Sequence, residues 1–131
     1  MKVKTYTSDD HKLAVHLFES NNIVFTGRAI STATEDVFRK LKRDLKYRAI
    51  GLLTISVHLD YLNSGNSKQL LLFFKELAKL DTILYTKVQW FVDTDDDQMM
   101  ELTEVFRSSI NNSNFVFFVS TEPVNPIIDT L

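Results

Sequence analysis

The sequence predicts a single α/β domain in which a β-hairpin is followed by three helices that alternate with three strands. Hydrophobic residues switch repeatedly between the two-residue period of strands and the three-to-four-residue period of helices. The chain has 131 residues, 44% of them hydrophobic, which is enough for one self-sufficient core. Its two prolines, Pro123 and Pro126, lie at the end, so no proline marks a linker. We therefore expect one domain over 1–131, with residues 122–131 as a tail.

Alternating and continuous apolar runs predict the strands. Residues 13–17 alternate, residues 20–22 (Ser-Asn-Asn) are typical of a turn, and residues 23–25 are apolar, which together predict the hairpin. Residues 50–59 alternate again, with Thr54, Ser56 and His58 on the polar side. Shorter apolar runs predict two more strands, at 88–92 and 115–119.

Helical spacing and capping residues predict the three helices between these strands. The first opens with a capping box, Thr32 to Glu35, before apolar residues at helical spacing. The second and third are expected at about 67–80 and 95–109. Strands joined through helices are parallel in most folds, so the second half of the sheet is predicted to be parallel. Because residues 50–59 keep a polar side, we expect helices mainly on one face of a mixed sheet.

Composition argues against several classes of function. The chain has no cysteine, which excludes disulfides, zinc fingers, iron–sulfur clusters and cysteine nucleophiles. Its net charge of −2 is unlike that of most nucleic-acid-binding domains. The N-terminus lacks the apolar segment of a secretory signal, and the longest apolar run, 70–74, is too short to cross a membrane. These features predict a cytoplasmic protein without nucleic-acid or membrane partners.

An acidic run at 93–97 resembles a calcium-binding loop. Counted from Asp93 as position 1, Asp95, Asp97, Glu101 and Glu104 fall at EF-hand ligand positions 3, 5, 9 and 12. Gln98 stands where that loop needs glycine, and a predicted strand precedes it where a helix is required. An acidic helix N-terminus capped by an aspartate is the favoured interpretation.

Histidines and basic residues give no catalytic or metal motif. His11, His16 and His58 lack the i, i+4 pairing of metal ligands on a helix, and solvated or sheet-face positions are favoured. The basic run at 39–43 shares its helix with an apolar face, which favours a solvated outer surface, although a charged partner surface stays open. No hydrolase, metalloprotease or P-loop motif occurs. We predict no enzyme activity, no cofactor and no metal.

The most informative segment, 60–68, joins a predicted strand to a predicted helix. Asn66 and the three residues after it form a near capping box, so Asn66 is expected to cap the helix. Ser64 would then lie on a flexible turn just outside the cap, beside Gly65. A phosphoryl group there would meet exposed backbone N–H groups and the helix dipole, with Lys68 adding positive charge. By itself, this local chemistry favours an unmodified turn and cap.

Three motifs carry a family resemblance. The segment LDYLNS at 59–64, followed by Lys68, is similar to the pattern L-x-Y-[FL]-N-[ST]-S-S-x-K. The strand VQWFV at 88–92 is similar to I-x-W-x-Y, and residues 95–106 are similar to an acidic-opening helix with M-x-E-x-x-E-x-F. From 27 to 118 the chain thus resembles the SiaC-type regulatory phosphoproteins, a bacterial family with a fold like that of STAS (anti-anti-sigma-factor) domains.

The resemblance implies a phosphorylation-controlled partner switch rather than an enzyme. In that family a Ser/Thr kinase phosphorylates the hydroxyl residue after Asn, and a PP2C-type phosphatase releases the phosphate. The phosphorylation state decides binding to a target, for example a diguanylate cyclase, which would place this chain in cyclic-di-GMP signalling and biofilm regulation. Ser64 is the implied phosphoacceptor. The residues expected around it and at the partner surface are Tyr61, Asn63, Gly65, Asn66 and Lys68.

Two other functions stay open. A phosphorylation-independent binding module of the same fold would keep its partner affinity when Ser64 is replaced by Asp or Glu. A small-ligand-binding protein would need a pocket, which Ser56 and His58 on the polar sheet face could help to line.

Overall fold

The computed structural model describes residues 2–30 and 34–122. Along this part of the chain the elements are β1 (Val3–Thr7), β2 (Leu13–Phe18), β3 (Asn22–Ala29), α1 (Thr34–Leu45), β4 (Ile50–Leu62), α2 (Ser64–Ala78), β5 (Ile83–Asp93), α3 (Asp97–Ser109) and β6 (Phe115–Glu122).

The strands form one mixed sheet in sequence order, from β1 at one edge to β6 at the other. The first three strands are antiparallel neighbours. The turns between them use positive φ at His11 (59°) and Asn21 (63°). The pairs β3–β4, β4–β5 and β5–β6 are parallel, and one helix makes each crossover. The predicted fold class is therefore confirmed.

Strand β1 is the element that the sequence analysis missed. Only Tyr6 among its five residues is buried, so Val3–Thr7 lacks the alternation that identified the other strands. The strand is stabilised by its pairing with β2 and by the packing of Tyr6 against the core, and neither contact is visible in the sequence pattern.

Helices cover one face of the sheet, as the polar side of residues 50–59 predicted. On β4, Leu53, Ile55 and Val57 are buried, whereas the residues between them are only half-buried. A cluster of aromatic rings fills the space between this face and the helices. The ring centroid of Phe25 lies 6.2 to 6.4 Å from three rings of α1 and α2, those of Phe38, Phe73 and Phe74.

Several boundaries differ from the prediction. Strands β4 and β5 are longer than expected, because the residues at their ends still pair across the sheet, Leu62 with Ala29 and Ile50 with Ile83. Helix α2 begins three residues early, at Ser64. Of the predicted capping box at 32–35, Thr32 and Ala33 lie outside the described residues. Within the described residues, no helix is long and apolar enough to cross a bilayer.

A glycine shapes the sheet edge next to the site described below. Gly27 has φ of 97°, and a Cβ built on it would lie 1.9 Å from the carbonyl oxygen of Lys12. The pairing of β3 with β4 shifts at this point, leaving Asp60 as an extra residue on β4. The shift pairs Arg28 with Tyr61. Tyr61 lies near the end of β4, three residues before the start of α2.

Candidate functional site

The start of α2 lies at the carboxyl ends of β3 and β4, and Asn63 fixes it there. Asn63 has an extended backbone (φ −76°, ψ 170°), and its Oδ1 accepts a hydrogen bond from the backbone N–H of Asn66 at 2.9 Å. Its own N–H donates to the carbonyl of Ala29 at 3.2 Å. Its Nδ2 donates to the carbonyl of Ile30 at 3.1 Å. Asn63 is therefore the N-cap of α2 and also ties the cap to the end of β3.

The prediction that Asn66 caps the helix is wrong, because Asn66 lies inside the first turn. Its side chain is only 5% exposed. Nδ2 of Asn66 donates to the carbonyl of Ala29 at 3.0 Å and to Oδ1 of Asn63 at 2.9 Å. Its Oδ1 accepts a hydrogen bond from the Thr34 hydroxyl. Asn66 is thus a buried residue whose hydrogen bonds link β3, α1 and α2. It does not form part of the outer surface.

Ser64 is the first residue of α2 and is exposed. The prediction of a flexible turn outside the helix is wrong here, because the Asn63 cap places Ser64 within the first helical turn. The carbonyl of Ser64 accepts a hydrogen bond from the Ser67 hydroxyl at 2.9 Å. In the described part of the chain, no acceptor contacts the backbone N–H of Ser64 or Gly65. These N–H groups and the positive end of the helix dipole favour an anion on Ser64.

Gly65 leaves open space beside Ser64. A Cβ built on Gly65 would meet only Oδ1 of Asn63, at 3.8 Å, so a larger residue would fit without strain. Gly65 therefore adds no side chain next to Ser64, but the backbone conformation at position 65 does not require a glycine.

Two cationic side chains border this surface. Lys68 lies one helical turn after Ser64 and is exposed. Tyr61, at the end of β4, is 45% exposed, and the guanidinium carbon of Arg28 lies 5.6 Å from its ring centroid. This distance is that of a cation–π contact, which is worth about 0.5–1 kcal/mol at an exposed site. Of the residues predicted for the site, Tyr61, Ser64, Gly65 and Lys68 are exposed and Asn63 caps the helix. Arg28, which contacts Tyr61, was not predicted.

The acidic run at 93–97 forms a turn and the N-cap of α3. Oδ1 of Asp96 accepts from the backbone N–H of Met99 at 3.0 Å, and Oδ1 of Asp93 accepts from that of Asp95 at 3.0 Å. Capping of α3 by an aspartate, the favoured prediction, is confirmed. Across residues 2–30 and 34–122, no three His, Asp or Glu side chains are arranged to hold a metal ion.

His16, His58 and the basic run of α1 have partners within the fold. Nδ1 of His16 lies 3.0 Å from the Thr5 hydroxyl, and the ring of His58 stacks on Phe91 with centroids 4.4 Å apart. The basic side chains at 39, 40, 42 and 43 each form an ion pair, with Asp36, Asp44 or Glu76 as the partner. Each of these four cations thus has a carboxylate within ion-pair distance, although Arg39 and Lys40 share Asp36.

The described cavities lie away from the polar sheet face. One, of about 220 Å³, lies between α1 and α2 and includes Phe38, Leu72 and Phe73. Another, of about 170 Å³, lies near Thr86 and Asn114. Neither is lined by Ser56 or His58, the residues that the ligand-binding alternative invoked.

Comparisons with known proteins found a matching family and solved structures of similar fold. The family model described as "SiaC family regulatory phosphoprotein" matches residues 10–120. SiaC of Pseudomonas aeruginosa superposes with a TM-score of 0.72 at 17% identity, covering 93% of this chain and 100% of that one. The structure described as diguanylate cyclase SiaD in complex with its activator SiaC, from the same organism, gives 0.69 at 16% identity, covering 89% and 99%. Apo-SiaC gives 0.66 at 19%, covering 92% and 100%. No curated protein sequence matches the chain.

Proposed function

This chain belongs to the SiaC family of regulatory phosphoproteins, and we propose that it works as a non-enzymatic partner switch controlled by phosphorylation of Ser64. The observation that carries the proposal is the position of Ser64. Its side chain is exposed on the first residue of a helix whose cap, Asn63, and buried neighbour, Asn66, are both hydrogen-bonded to the end of β3. A kinase could therefore reach the hydroxyl without unfolding the site.

A phosphate on Ser64 would be locally tolerated. It would add about −1.5 to −2 charges at the positive end of the α2 dipole, next to the N–H groups of Ser64 and Gly65. An anion in the first turn of a helix stabilises it by about 0.3–1 kcal/mol, and Lys68 adds an opposite charge one turn away. The phosphorylated form should therefore keep the fold and change mainly its surface.

The switch would act at the interface with a target. When Ser64 is unmodified, the target docks over the start of α2, with Tyr61 and Lys68 beside the contact. A phosphate would place a charge that must lose its water when the target binds, which opposes docking. A cost of about 1.4 kcal/mol lowers affinity tenfold, so a modest penalty is enough to separate the two states.

The proposed partners are a Ser/Thr kinase, a PP2C-type phosphatase and a diguanylate cyclase as target. A solved structure supports the cyclase as the target: it contains diguanylate cyclase SiaD of Pseudomonas aeruginosa in complex with its activator SiaC. Kinase and phosphatase follow from the family resemblance of the segment around Ser64. We propose a cytoplasmic location for this signalling system.

Phosphosite mapping tests the proposal. Purified protein is incubated with ATP and the Ser/Thr kinase encoded beside its gene, and the products are mapped by mass spectrometry. We expect one phosphate on Ser64 in the wild type and none in Ser64→Ala. Ser67→Ala is the matched control, because Ser67 is a hydroxyl of the same helical turn and should leave phosphorylation unchanged. Modification at Ser67, or none, would refute the role of Ser64.

A further inference from the structure

Helix α2 carries an exposed stripe that begins at Ser64. At about 100° per residue, positions 64, 68, 72, 75 and 79 fall within an arc of about 80° on the helix. Lys79 is the C-cap residue, and all five positions are exposed. The other side of α2 is buried in the core. We call the four residues after Ser64 on this arc the α2 stripe: Lys68, Leu72, Lys75 and Lys79.

The lysines of the α2 stripe lack carboxylate partners. Within residues 2–30 and 34–122, none of the three forms an ion pair or a side-chain hydrogen bond. The acidic residue of α2, Glu76, is paired with Lys42 on the side that faces α1. In contrast, each basic residue of the run at 39–43 in α1 has a carboxylate within ion-pair distance. The α2 stripe is thus a local concentration of three uncompensated positive charges on a chain whose net charge is −2.

Leu72 gives the α2 stripe an apolar centre. Its side chain is 50% exposed and lies between Lys68 and Lys75 along the helix. It also borders the cavity of about 220 Å³ between α1 and α2, where Phe38 and Phe73 contribute ring surface. An exposed leucine beside a recess and flanked by cations is complementary to an apolar side chain flanked by carboxylates.

We propose that the α2 stripe is the docking surface for the target, and that the target binds it with an acidic segment that inserts one apolar side chain beside Leu72. The carboxylates of that segment would lie opposite Lys68 and Lys75. This inference rests on the proposed function for the identity of the target as a diguanylate cyclase, and it adds the chemistry by which that target is recognised.

The same arrangement explains how a phosphate on Ser64 would release an acidic partner. Ser64 lies on the arc of the α2 stripe, four residues before Lys68, which is the spacing at which helical side chains pair. The phosphate would take Lys68 as its counter-ion and lower the charge of the stripe from three to about one. It would also repel the carboxylates of the target.

The test is the affinity of the purified full-length chain for the purified diguanylate cyclase encoded in the same genome. We expect Lys68→Glu, Lys75→Glu and Leu72→Ala each to weaken binding by about tenfold, as for central interface residues. The matched controls are Lys40→Glu, a lysine on the outer face of α1, and Val105→Ala, an exposed apolar residue of α3 (52%). Each should change affinity by less than about twofold.

The outcomes separate this inference from the proposed function. If phosphorylation weakens binding but the three α2 variants bind like the wild type, the docking surface is refuted and the switch stands. If the α2 variants lose affinity but phosphorylation has no effect, the docking surface stands and the switch is refuted. Absence of binding by the unmodified wild type would refute the docking surface, whereas phosphosite mapping would still decide the role of Ser64.

Discussion

The side-chain Nδ2 of Asn66 donates to Oδ1 of Asn63 at 2.9 Å, so the cap of α2 and the buried residue beneath it are one hydrogen-bonded unit. Both residues also donate to backbone carbonyls at the end of β3, those of Ala29 and Ile30. Ser64 lies between them in sequence and is exposed. The proposed phosphoacceptor therefore lies in a helical turn that hydrogen bonds of Asn63 and Asn66 hold against the end of β3.

Replacing Asn66 by alanine should destabilise the fold more than it changes the surface. The substitution removes three hydrogen bonds of a buried side chain, those to the Thr34 hydroxyl, the carbonyl of Ala29 and Oδ1 of Asn63. A hydrogen bond contributes about 0.5–1.5 kcal/mol, so the loss of all three should cost roughly 1.5–4 kcal/mol. We expect the free energy of unfolding in urea to fall by that amount. Ser67→Ala, which removes a half-buried hydroxyl of the same turn, should change it by less than about 0.5 kcal/mol. Equal stability of the two variants would contradict the structural role of Asn66.

Gly27 should tolerate no side chain. Alanine there would combine a positive φ of 97° with a Cβ 1.9 Å from the carbonyl oxygen of Lys12. We expect a loss of at least about 1–3 kcal/mol in the free energy of unfolding. Gly51→Ala is the matched control, because nothing lies within 4 Å of its added Cβ, and it should be neutral or stabilising by up to about 1 kcal/mol. An unchanged free energy of unfolding in Gly27→Ala would contradict the close approach of Gly27 to the carbonyl of Lys12.

Stability at acid pH should depend on the contact between Tyr6 and Asp44. Burial opposes ionisation of Asp44, but hydrogen bonds from Lys4 and Tyr6 outweigh it and hold the pKa of Asp44 below its ordinary 3.8. A carboxyl with a lowered pKa in the folded state contributes stability above pH 3.8, and that contribution is lost as the pH falls further. Tyr6→Phe removes one of these hydrogen bonds.

Urea unfolding as a function of pH checks this prediction. Tyr6→Phe should be less stable than the wild type at pH 7, and its stability should fall less steeply below pH 4, because the pKa of Asp44 moves back towards its ordinary value. Val3→Ala is a control on the same strand, because Val3 is exposed and strand alternation puts its side chain on the face opposite to that of Lys4 and Tyr6. Parallel pH profiles for wild type and Tyr6→Phe would contradict the assignment.

Charge at position 64 should control affinity for the target. Ser64→Asp puts a carboxylate on the arc of the α2 stripe, and we expect it to weaken binding to the diguanylate cyclase several-fold in calorimetry. Ser67→Asp adds the same charge about 60° away on the helix and should have a smaller effect. Unchanged affinity of Ser64→Asp would favour a binding module that works independently of phosphorylation.

Local patterns in the sequence were enough to predict the hairpin, the parallel half of the sheet and the covered face, because burial on one side leaves a two-residue period in β2 and β4. The cap of α2 could not be assigned this way. Asn63 and Asn66 are both good capping residues, and the choice between them depends on the contacts of Asn66 with Thr34 and Ala29, 32 and 37 residues away.

One part of the charge pairing was hidden from the sequence for the same reason. The basic run of α1 and the lysines of α2 have similar composition, yet they differ in surroundings. Lys42 forms an ion pair with Glu76, 34 residues further along the chain. Lys68 and Lys75 form no ion pair with a carboxylate of the described residues. The other three basic residues of the run in α1 pair with Asp36 and Asp44 of the same helix, so only the Lys42 pair depends on the packing of α1 against α2.

The most direct test of the central claim compares two forms of the wild-type chain, unmodified and fully phosphorylated on Ser64. Each is titrated into the purified diguanylate cyclase by calorimetry, and the phosphorylated form is then treated with a PP2C-type phosphatase and titrated again. The account predicts that the unmodified chain binds, that the phosphorylated chain binds at least about tenfold more weakly, a cost of about 1.4 kcal/mol, and that the phosphatase restores the affinity. Equal affinities of the two forms would contradict it.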